Sequence, residues 1–208
     1  MSTRLLPRIR SEKLACAAHL DDAVARPDAD PFFVEKVQEL VGASGPAYQV
    51  AIDALRKAEA ATAVARDEED AADDESDKAG SDYFKALRLN CSPEVAKEVQ
   101  GLLGGRTPSD VMKGSNRAQL FNLDRFFTLL DARADLKTPT DRLDTWKAKH
   151  EAMRGKVNPS TLCENAQRDL SAAADAAEAT FTSDYRLLVQ HLNLLWGADK
   201  ARAALLSF

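Results

Sequence analysis

Six of the eight prolines in this chain stand directly after a residue that caps a helix or turns the backbone. These pairs are Asp30–Pro31, Gly45–Pro46, Ser92–Pro93, Thr107–Pro108, Thr138–Pro139 and Asn158–Pro159. Proline suits the first position of a helix, because the N–H it lacks would have no intrahelical partner there. An oxygen-bearing side chain just before it can accept from the open first turn. Thr107 with Asp110 and Thr138 with Asp141 have the spacing of a capping box, and Thr161 with Glu164 repeats it inside the last of these starts. Glycines punctuate the other ends, at Gly42, Gly104–Gly105, Gly114, Gly155 and Gly197.

Read between these marks, the chain predicts helices at about 8–26, 31–41, 46–90, 93–103, 117–135, 139–154, 159–196 and 198–206. Their apolar residues recur with helical period. Tyr48, Ile52 and Leu55 form a short stripe. Phe181, Tyr185, Leu188, Leu192 and Leu195 form a longer one, with the alternation of four and three that marks a coiled-coil seam. Leu120, Leu123, Phe126, Phe127 and Leu130 make a broader face, suited to a helix with several neighbours. No run alternates as a half-buried strand would, and no Asn–Gly or Asp–Gly hairpin turn occurs. The expected fold class is all-α, an antiparallel helical bundle.

The order of helix lengths nearly repeats itself. A shift of 102 positions lays Ala63–Tyr83 on Asn165–Tyr185 with eight identities in 21, among them Ser81–Asp82–Tyr83 on Ser183–Asp184–Tyr185. This pattern predicts two tandem four-helix repeats with a long helix in each, residues 1–105 and 106–208. In the shared tripeptide the tyrosine ring should turn inward, with its acid on the solvent side.

Charge is distributed unevenly. Asp67, Glu68, Glu69, Asp70, Asp73, Asp74, Glu75 and Asp77 crowd eight acids into eleven residues with no base. The net charge is −5, so without this segment the remainder would carry +3. Like charges at i,i+4 each cost a few tenths of a kcal/mol, and a helix spanning 46–90 would run to roughly 67 Å. The segment is therefore expected as a solvated, poorly packed turn or a local break. These eight acids are the candidate partner-binding residues, for a basic partner or for the chain's own Arg4–Lys13 arm. No glycine stands at the sixth position of an EF-hand loop.

Other chemistry finds little footing. Cys16 and His19, at i,i+3, are weak metal-ligand candidates. Cys16 is equally in line with Leu20 and Ala23 as a buried thiol, so no metal or cofactor is expected. No Glu-x-x-His pair supports a di-metal bundle. The three cysteines, Cys16, Cys91 and Cys163, are dispersed and odd in number, and three histidines join no nucleophile signature. Gly101–Gly105 lacks the Lys–Ser/Thr ending of a phosphate loop. A pI near 5.3 and scattered bases argue against nucleic acid, even around Arg106, Lys113, Arg117 and Arg125. No stretch reaches the roughly 20 apolar residues of a membrane span. Residues 1–14, where Leu5, Leu6 and Ile9 alternate with arginines, could lie on a membrane surface, or pack back as an arm. No secretory leader is read at the start, and the cysteines fit a reducing cytoplasm. The expected function is that of a non-enzymatic helical scaffold or adaptor, working through protein–protein contacts and self-association. Two alternatives are a small-ligand or metal-binding bundle near Cys16, His19 and Tyr185, and a regulator that presents the acidic segment to basic partners.

Overall fold

The computed structural model describes residues 9–206, and Arg4, Leu5, Leu6 and Arg8 of the expected arm lie outside them. Among the described residues there are eight α-helices and no strand. They are α1 (Arg10–Val24), α2 (Pro31–Leu40), α3 (Ser44–Asn90), α4 (Pro93–Gly101), α5 (Pro108–Met112), α6 (Asn116–Asp131), α7 (Thr140–Trp196) and α8 (Ala198–Leu206). The all-α expectation holds.

Side-chain capping accounts for three of the eight starts. Asp30 accepts from the amides of Phe32 and Phe33, and Ser92 accepts from Val95. Thr107 and Asp110 close a reciprocal capping box that opens α5, a short helix not among those expected. Gly197, at φ +80°, separates α7 from α8 where an L side chain would be strained.

Two expected boundaries are absent. Helix α7 runs through Asn158–Pro159, where a new helix was expected to begin. Thr161 forms no box with Glu164. Its hydroxyl donates to the Val157 carbonyl at 3.0 Å, and Glu164 pairs instead with Arg66. The reason is packing: Met153, Val157 and Ser160 are buried on one continuous face across the proline, so the seam overrides the local break. Helix α3 is likewise unbroken through the acidic segment.

The chain gathers into two compact units, residues 1–60 with 166–208, and residues 61–165. The boundary expected between 105 and 106 falls inside the second unit. Each long helix contributes to both.

In the first unit, Ala17, Leu20 and Ala23 of α1 pack with Phe33 and Val37 of α2 and with Tyr48, Ile52 and Leu55 of α3. Phe181, Tyr185, Leu188 and Leu192 of α7, with Ala201 and Leu205 of α8, complete this core. The Tyr48 and Phe181 rings stack at 5.5 Å. The predicted stripe on α7 is buried except at its end, where Leu195 is exposed.

The second unit is built around Trp146. Its ring lies within 5.0–5.6 Å of Tyr83, Phe84, Phe126 and Phe127. Leu87, Val99, Val111, Leu123, Leu130 and Leu143 fill in around these rings. Both tyrosines of the Ser-Asp-Tyr tripeptides are buried, Tyr83 here and Tyr185 in the first unit. Burial pushes the Tyr83 phenol up to about 12.

Candidate functional site

In the second unit, α3 and α7 run antiparallel, and charged side chains join them in register. Arg66 pairs with Glu164 at 2.8 Å, Glu68 with Lys156 at 2.8 Å and Glu75 with Lys149 at 2.7 Å. From α6, Asn116 donates to Glu69 at 2.7 Å and Gln119 donates to Asp77 at 2.6 Å. Four of the eight acids therefore contact neighbouring helices of their own unit, which offsets the like-charge cost along α3. This is why the segment stays helical where a break was expected. Asp67, Asp70 and Asp74 remain exposed. The lysine partner holds the Glu75 carboxyl below its usual range.

Beneath these surface pairs lie buried polar groups that periodicity alone does not reveal. Gln119 and Ser76 are fully buried, and His150 nearly so. Asp73 faces Gln119, its carboxyl raised to about 6, first by burial and then by the charge of Asp77. Asp73 Oδ1, Ser76 Oγ, Gln119 Oε1 and Trp146 Nε1 are all buried without a hydrogen-bond partner. Asp73 and Asp77 were legible as candidates from their acidity. Gln119 was not, because a glutamine at a core position of an amphipathic helix carries no signal of its own.

A second polar group ties α6 to α7. His150 Nε2 meets Asp124 Oδ1 at 2.8 Å, and Arg154 reaches the same carboxylate. Burial works against the Asp124 charge, but hydrogen bonds from His150 and Arg154 outweigh it and hold this carboxyl low. The imidazole packs edge-on against Phe127 at 5.3 Å. Its Nε2 is engaged by Asp124 and its Nδ1 is buried, so neither nitrogen is open to a reactant.

In the first unit, Cys16 and His19 are both half-buried on α1. Burial raises the Cys16 thiol, which lies against the Tyr185 hydroxyl, and burial depresses His19. Among the described residues, no three histidine, cysteine or acidic side chains gather as metal ligands. One groove in this unit lies away from Cys16, beside the α1–α2 turn. It encloses about 360 Å³ against Phe33, Trp196 and Ala204. Arg26 and Lys200 at its rim are matched by Asp28 and Asp30, so the rim has no net sign. Of the basic residues in the expected arm, Arg10 and Lys13 are the described ones, and both grip Glu178 of α7, at 2.9 and 2.7 Å.

The first unit also exposes apolar side chains. Leu187, Leu194 and Leu195 of α7 are 44%, 83% and 60% exposed. Leu187 and Leu194, at i and i+7, share one helical face with the exposed His191, turned away from buried Leu188 and Leu192, whereas Leu195 lies at the exposed end of the buried stripe. The chain matches no protein-family model, and comparison with curated proteins and with solved structures finds no match.

Proposed function

We propose that this chain is a non-enzymatic helical scaffold that works through its surfaces, by self-association or by holding a partner helix. One observation carries the reading: exposed Leu187 and Leu194, one heptad apart on a single face of α7, a helix whose other face is already buried in the core. Scattered exposed leucines are ordinary, but a pair at heptad spacing is a seam without its partner. The polar chemistry supports the same reading. Within each unit charged groups pair with opposite charges on a neighbouring helix, as Glu178 does with Lys13 and Glu75 with Lys149. The acidic segment, partly engaged within its own unit, is the lesser contact surface. The three cysteines are free thiols, which fits a reducing, cytoplasmic setting.

The duplication belongs to this proposal. If residues 1–105 and 106–208 are repeats, each unit has the same parts: the leading short helices and front of the long helix from one repeat, with the back of the long helix and final short helix from the other. The division of α3 near residue 60 and of α7 near residue 165 supports that exchange.

Light scattering coupled to size exclusion tests the function. The wild-type chain should elute as an oligomer, and Leu187→Glu with Leu194→Glu should reduce it to a monomer with unchanged helical content. A wild-type chain that is strictly monomeric at high concentration, and captures no partner, removes the proposal.

A further inference from the structure

Asp73 and Asp77 lie one turn apart on α3, and a single amide from α6 meets both. Gln119 donates from Nε2 to Asp77 Oδ1 at 2.6 Å and also bears on the carboxyl of Asp73. Two acceptors are left over, Gln119 Oε1 and Asp73 Oδ1, both buried and both without a hydrogen-bond partner. Both oxygens are acceptors while Asp73 is ionised, so each needs a donor hydrogen that the other cannot supply. Leaving both bare would cost the full desolvation of each. A hydrated metal ion would have to shed its water to reach atoms with no accessible surface, whereas a proton needs no room.

We propose that Asp73 and Gln119 form a proton-binding site that fills in mildly acidic solution and fastens α3 to α6. The protonated carboxyl donates its O–H to Gln119 Oε1, while the other end of the amide holds ionised Asp77. One proton thereby gives both orphaned oxygens a hydrogen bond.

The surroundings favour its uptake. From α3 the charges facing Asp73 are Asp70, Asp74 and Asp77, all anionic. From α6 come the neutral amides of Asn116, which donates to Glu69, and Gln119. The α7 lysines nearest this stretch, Lys149 and Lys156, are engaged by Glu75 and Glu68. Burial and this one-sided field outweigh the hydrogen bond from Gln119, which favours the ionised form, and raise Asp73 to about 6. A carboxyl raised on folding binds its proton more tightly in the folded chain. Its stabilising contribution is complete below the unfolded value, near 4, and is lost as pH rises through about 6.

The direct test is a carbon-13 titration of the side-chain carboxyls in the full chain, with Asp73 assigned through its own backbone. Its midpoint should lie near 6. A midpoint at or below about 4 overturns the site. Denaturant unfolding gives an independent reading. Asp73→Asn imitates the protonated form, since its carboxamide N–H can always donate to Gln119, so at pH 7.5 the variant should be at least as stable as wild type. Lowering the pH to 5 should stabilise wild type relative to the variant by about tenfold in the unfolding constant, roughly one pKa unit of linkage. An Asn variant that is less stable at pH 7.5 and keeps the wild-type pH slope refutes the proposal. So does a titration that millimolar Mg²⁺ or Ca²⁺ shifts strongly downward, which would make the occupant a metal ion.

Discussion

Gly80 shows how closely a single atom is controlled in the second unit. A Cβ built on it would lie 2.8 Å from two ring carbons of Trp146. That indole is almost completely buried and boxed in by four other aromatic rings, so it cannot move aside. The glycine is a condition of the close approach between α3 and α7, not a weakness in the helix. Overpacking of this kind costs about 1–3 kcal/mol, against about 1 kcal/mol gained by replacing glycine with alanine in a helix. Gly80→Ala should therefore lower the midpoint of urea unfolding and change the fluorescence of the buried tryptophan. Gly155 is the control, also within a long helix but with nothing within 4 Å of its added Cβ. Gly155→Ala should stabilise by up to about 1 kcal/mol. If both substitutions raise the midpoint, the Trp146 contact is not tight. The sequence marks Gly155 as a helix end and leaves Gly80 inside a helix, yet both lie within long helices. What distinguishes them is a ring from a distant part of the chain in one case and open space in the other.

At the scale of the element, the start signals that could be read were those whose partner is local. Asp30, Ser92 and Thr107 cap helices because the acceptor and the amide it serves lie within three residues. Pro159 failed as a boundary because its effect is set by a neighbour far along the chain. The face carrying Met153, Val157 and Ser160 is buried, and breaking α7 there would expose it. The acidic segment was misread as a break for the same reason. Its charges were visible, but Lys149 and Lys156, which compensate Glu75 and Glu68, lie 74 and 88 residues further on. Stripes fared better than sites. Most of the predicted α7 seam is buried, whereas the polar groups around Gln119 left no trace in periodicity. Pro159 retains an intrinsic penalty even so. It supplies no N–H to the Gly155 carbonyl one turn earlier, and an interior proline costs about 3 kcal/mol relative to alanine. Pro159→Ala should raise the unfolding midpoint, with a gain of up to that size and slightly greater helical ellipticity. A destabilised variant would mean that the proline's own geometry is needed for the seam to fit.

For the whole molecule, the decisive fact is that one unit is continuous in sequence and the other is not. Residues 61–165 contain the entire cluster around Trp146, from Tyr83 on α3 to Trp146 itself on α7. The core of the first unit joins Ala17 through Leu55 to Ala174 through Leu205, so each side of it lacks the other if the chain is cut. Folding of the first unit must therefore close a loop of about a hundred residues, which the second unit can shorten by folding first. A fragment of residues 61–165 lies within the ordinary size range of a domain. Expressed alone, it should be helical and melt cooperatively, with fraying only where α3 and α7 have been cut. Residues 1–60 alone should have little helix, because Tyr48 and Leu55 lose Phe181 and Leu188 as partners. Mixing 1–60 with 166–208 should restore ellipticity at a one-to-one ratio, as circular dichroism on titration would show. If 61–165 is unstructured while the full chain melts in a single step, the two cores are not energetically separable. Folding would then depend on both long helices being whole.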